Sequence, residues 1–105
     1  MSPKNFVLVC SDLPLAHQIV QAAHAAYEAG TTSNIKSPTQ QRLVLCTVAD
    51  EACLFFACEK LERAGINFVL FREPDMGNRA TALCTEALND KRGRVLSSFR
   101  LWKEG

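Results

Sequence analysis

Phe6-Val7-Leu8-Val9-Cys10, followed by Ser11-Asp12-Leu13-Pro14, is the stretch on which the fold turns. An unbroken apolar run rich in β-formers is the pattern of a strand covered on both faces, as in a parallel sheet, since a half-wet strand would alternate. Pro14 suits the first turn of a helix, and from there to about Gly30 the chain is alanine-rich and helical, with Gly30 as its C-terminal stop. A buried strand running straight into a helix opens a layered α/β fold.

The same alternation continues downstream. Leu43 to Val48 reads as a second strand, and Asp50 caps a second helix with Glu51 at its positive end. Leu54, Phe55, Cys58 and Leu61 give that helix a core face, and Gly65 closes it. Ile66 to Phe71 is a third strand, Pro74 to Asn78 a turn, and Arg79 to Glu86 a fourth strand returning antiparallel. Asn89 to Ser97 is a short helix or loop, Phe99 to Trp102 a short terminal strand, and Thr31 to Gln41 the one sizeable loop. Right-handed crossovers make the first three strands mutually parallel. The expected architecture is a single α/β domain over residues 1–105: a mixed, mostly parallel four-stranded sheet, a short fifth strand at its margin, and helices on both faces.

A chain of 105 residues that is 48% hydrophobic and 22% charged fills one core and has no room for two. Twelve basic residues against eleven acidic ones give a net charge of +1, so any basic patch is local. The five cysteines are odd in number, contain no C-x-x-C pair and sit mostly in apolar runs. They read as small buried hydrophobes in a reducing compartment, which implies a cytoplasmic location. The first apolar run ends at Ser11 and Asp12, well short of a signal core or a membrane span, so no membrane partner is expected. Apolar strand residues near the C-terminus are compatible with a homodimer.

On the first helix, Leu15, Ile19, Ala22, Ala23 and Ala26 gather on one side, expected to be the core side. His17, Gln21, His24 and Glu28 fall within about 60° of one another on the opposite side. Taken alone, that stripe is the solvated face of an amphipathic helix. Ligands of α/β sheets gather beyond the carboxyl ends of the strands, which places Asp12, the first half of this helix and the Arg72 to Asn78 turn on one candidate rim.

Three stretches in this order resemble the type 2 peptidyl-tRNA hydrolase family, and closest to its short, divergent members: Val7-Leu8-Val9 leading to Asp12-Leu13, then Gln21-Ala22-Ala23-His24-Ala25-Ala26, then the strand ending in Phe71-Arg72-Glu73. The likeness covers nearly the whole chain and includes the terminal Phe99-Arg100-Leu101-Trp102-Lys103. It implies hydrolysis of the ester joining a peptide to tRNA by activated water, with no metal or organic cofactor and with tRNA or peptidyl-tRNA as partner. His17 stands where active members carry a lysine, and Glu73-Pro74-Asp75-Met76-Gly77-Asn78-Arg79 replaces a longer Asp-Ala-Gly-Arg-Thr-Gln loop.

Ester hydrolysis needs a base for water, a donor for the oxyanion, and contacts that hold the acyl group and the RNA end. Glu73 is the candidate base or water-positioning group, Gln21 orients water or the scissile carbonyl, and His17 supplies a cation when protonated. His24 completes the candidate catalytic set, with a structural histidine among alanines as its other reading. Asp12, Arg72, Asn78 and Arg79 are the candidate substrate contacts. His17 and His24 lie about 10 Å apart along the helix axis, too far for one metal ion. Lys91, Arg92, Arg94, Arg100 and Lys103 form either an RNA surface or a solvated tail offset by Asp90 and Glu104. The alternatives to an enzyme are a catalytically silent relative that binds tRNA or a protein partner, and an unrelated small interaction domain.

Overall fold

A computed structural model describes residues 3–32 and 42–103. The elements run β1 (Lys4–Cys10), α1 (Leu15–Thr31), β2 (Arg42–Val48), α2 (Glu51–Arg63), β3 (Phe68–Glu73), β4 (Arg79–Thr85), α3 (Asp90–Gly93) and β5 (Arg100–Leu101). Short 3-10 turns occupy Pro74–Met76 and Arg94–Leu96. From residue 33 on, the expected loop up to Gln41 lies outside the described residues. Pro14 holds the N-cap position of α1 and offers no capping side chain, and the helix passes Gly30 to end at Thr31.

The five strands form one sheet in the order β3-β4-β1-β2-β5. Only β1 and β2 pair in parallel, whereas β1 with β4, β3 with β4, and β2 with β5 are antiparallel. The expectation of a mostly parallel four-stranded sheet is therefore corrected: the sheet has five strands and mostly antiparallel pairing. The cause is the position of β4. It turns back from β3 and inserts between β3 and β1, so β1, β2 and β3 share a direction while β3 touches neither of the other two.

Period-2 alternation sends neighbouring residues of β1 to two different cores. Leu8 and Cys10 join Leu54, Ala57, Cys58, Leu61, Leu83, Leu88 and Leu96 on the α2 side. Val7 and Val9 join Ala25, Ala29, Phe71, Ala82 and Cys84 on the α1 side. Both faces of the sheet are thus covered, as the apolar β1 run requires. In α2, Asp50 accepts the Cys53 N–H at 2.9 Å, and Gly65 leaves the helix at φ +70°, a left-handed conformation for which glycine is suited. Ala57 takes the core place expected of Phe55, which lies exposed. Four cysteines are buried and Cys53 is exposed.

The roll of α1 differs from expectation, with consequences for the site. It buries Gln21, Ala25 and Ala29 and leaves Leu15, Ile19, Val20 and Tyr27 outward, Ile19 at 61% and Tyr27 at 72% exposure. The alanines allow close approach to a sheet surface of Ala82, Val9 and Phe71, where Gln21 bonds to Thr81 and Glu73, while Gln18 accepts the Trp102 indole N–H and donates to the Leu13 carbonyl. Burial of a satisfied amide on a small-residue face prevails over burial of Leu15 and Ile19.

Among the described residues, no helix is long and apolar enough to cross a membrane.

Candidate functional site

The site begins with an irregularity in the sheet. Along the β3–β4 pair the partners step from Phe71 with Ala82 to Arg72 with Ala80, so Thr81 has no cross-strand partner. Such a bulge re-aims a side chain. Ala80 and Leu83 face the α2 core and Ala82 the α1 core, while Thr81 also turns to α1, where its hydroxyl donates to Gln21 Oε1 at 2.6 Å. Gln21 Nε2 in turn donates to Glu73 Oε1 at 2.8 Å. Gln21 is 2% exposed, so the residue expected on a wet stripe is an internal strut joining β4 to the end of β3.

Glu73 closes β3 in an extended conformation, φ −90° and ψ 112°, as the residue before a proline must. Its second oxygen accepts the Asp75 N–H at 3.4 Å, and Asn78 N–H donates to its main-chain carbonyl at 3.0 Å. Gly77 and Asn78 both adopt left-handed φ, 65° and 62°, which lets the turn close tightly enough to hold the carboxylate at the rim. The Gln21 hydrogen bond holds the Glu73 carboxyl below the usual glutamate range, helped by the Asp75 N–H and then by the field of His24 and His17. Glu73 is an ionised acceptor, half-exposed at the rim.

His24 and His17 both lie exposed on α1, and His24 stacks flat on Phe71 with ring centroids 4.6 Å apart. The Arg79 guanidinium forms an ion pair with Asp12, tying the start of β4 to the turn after β1. Arg72 points to the other side of the sheet, over the Phe55 ring at 5.5 Å, and donates to the Asn78 carbonyl at 3.2 Å. The structure therefore brings Gln21, Glu73, His17 and His24 together, makes Asp12 and Arg79 partners of each other, and keeps Arg72 and Asn78 with the turn. Cys10 lies beside Arg79, but burial pushes its thiol up to about 11, so it is protonated near neutrality. Among the described residues, no three His, Cys, Asp or Glu side chains gather as metal ligands do.

The C-terminal cations do not form one surface. Leu88 pairs with Lys4 at the start of β1, and Arg92 bonds to Glu86 and to the Gly65 carbonyl, so α3 with Lys91, Arg92 and Arg94 lies at the end of the sheet away from Glu73. Arg100, paired with Thr47, lies near the carboxyl end of β2. Sequence reasoning missed Thr81 and Gln18, the latter accepting the Trp102 indole N–H at 2.8 Å. The spacing of Ala22, Ala25, Ala26 and Ala29 at i, i+3, i+4 and i+7 is the signal that would have turned α1 correctly.

No protein-family model matches the chain, and no curated protein matches it. Among solved structures, a protein of unknown function from Agrobacterium tumefaciens is similar over 98% of this chain and 99% of its own, with a TM-score of 0.71 at 14% sequence identity. At that identity the likeness establishes a shared fold, which does not carry an activity with it.

Proposed function

We propose that this chain is a hydrolase resembling the type 2 peptidyl-tRNA hydrolases, one that cleaves the ester between peptide and tRNA with water activated at Glu73. The observation that supports the reading is the relay from Thr81 through buried Gln21 to Glu73, which uses three elements to fix one exposed carboxylate at the strand-end rim. Gln21 spends both ends of its amide on protein partners, so it is a positioning residue, and the attacking water is held by Glu73. An ionised Glu73 orients that water and stabilises positive charge as the proton leaves. His17 and His24 stand beside it as the groups able to receive the proton or to face the oxyanion.

Purified protein is expected to release free tRNA from N-acetylated aminoacyl-tRNA, and Glu73→Gln to lower that rate more than tenfold with little change in melting temperature. Absence of turnover by the parent protein, or equal turnover by Glu73→Gln, defeats the proposal. In the first case the relay is the inheritance of a silent relative that binds tRNA or a protein partner.

A further inference from the structure

A second feature lies on the same side of the sheet. A groove of about 720 Å³ runs between the start of α1 and the terminal segment, lined by Ser11, Leu15, Gln18, Thr47, Arg100, Leu101, Trp102 and Lys103. Its chemistry is uneven in a specific way. The charged side chains of the lining are both cations, and among the described residues neither Arg100 nor Lys103 has an ion-pair partner. The Ser11 and Thr47 hydroxyls likewise make no hydrogen bond with described residues. Trp102 is held in place by its indole N–H on Gln18 and its main-chain N–H on the Leu45 carbonyl, and it is half-buried against the α1-side core.

Two cations and two hydroxyls without partners among the described residues, beside a fixed indole and two leucines, complement a ligand that alternates negative charge with flat, weakly polar rings. An acidic peptide carries rings only where aromatic residues flank its carboxylates, whereas every nucleotide brings one phosphate and one base, and a lipid headgroup presents no ring to the indole. From these residues we infer that the groove seats a single-stranded RNA segment, with phosphates on Arg100 and Lys103 and a base against Trp102. The inference takes from the preceding reading only that the partner is RNA. Gln18 lies one helical turn before Gln21, about 4.5 Å along the axis, so a strand seated here leads toward Glu73.

Trp102 is the sole tryptophan of the chain, so intrinsic fluorescence reports on the groove itself. Titration with hexa-adenylate at low salt is expected to give saturable quenching. The double variant Arg100→Gln/Lys103→Gln should bind at least fivefold more weakly, with the salt slope shallower by about 1.4, the value for two single-strand phosphate contacts. Lys91→Gln/Arg94→Gln, altered at the far end of the sheet, should bind like the parent. Quenching that never saturates, equal losses in both double variants, or a hexaglutamate peptide binding as tightly as hexa-adenylate overturns the inference. Because no turnover is measured, and the hexa-adenylate probe carries no ester to cleave, failure here is distinguishable from failure of the hydrolase reading.

Discussion

The two faces of the sheet are built by different rules. The α2 face is filled with Leu8, Leu54, Leu61, Leu83, Leu88 and Leu96, all fully buried. The α1 face is built mainly of alanines and valines around Phe71, and there the helix lies close enough to the sheet for buried Gln21 and Thr81 to bond to each other. Large side chains on one side supply transfer free energy. Small ones on the other allow side chains to be positioned to within a hydrogen-bond length, with the outward Leu15, Ile19 and Tyr27 as the cost in exposed apolar surface.

This contrast can be broken from the leucine side first. Leu61→Ala should destabilise the protein by about 2–5 kcal/mol, measured by denaturant unfolding, because the site sits among α2-side residues packed on every side. Under conditions where the variant is folded, its hexa-adenylate binding should equal the parent's. A smaller effect is expected on the other face. Thr81→Val keeps the shape but leaves Gln21 Oε1 without a donor, for a loss of about 1–3 kcal/mol. It should also lower hydrolysis, which Leu61→Ala should not. The smallest effect belongs to the outer surface of α1: Ile19→Lys should change stability by no more than about 0.5 kcal/mol, since Ile19 is 61% exposed. A loss of several kcal/mol there would return the helix to the orientation its leucine and isoleucine suggest.

That last test bears on what could be read from residues alone. The β1 run, the capped α2, the Glu73-Pro74 junction and the helices on both faces were legible because each rests on local periodicity or backbone chemistry. The place of β4 was not: a returning strand can pair at the outer edge of β3 or enter between β3 and β1, and both satisfy the same alternation. The roll of α1 was lost by weighing hydrophobicity over size, because Leu15 and Ile19 outscore Ala22, Ala25, Ala26 and Ala29 while the alanines are what the sheet accepts. At the site, Gln21 and Glu73 were singled out and prove to be bonded to each other, yet Gln21 was expected in solvent and is buried. Thr81 depends on a bulge, a defect in pairing with no mark in the order of residues Arg79 to Thr85.

The polar network of the α1 face holds Glu73 as a carboxylate at the rim. Its direct test is the titration of the Glu73 side-chain carboxyl by carbon-detected NMR in the parent and in Gln21→Leu. The hydrogen bond favours the ionised form, so the parent should titrate below the ordinary glutamate value of about 4.3, and removal of the donor should move the midpoint upward toward it. A Glu73 that titrates at the ordinary value in the parent, or whose midpoint is the same in Gln21→Leu, would contradict the account.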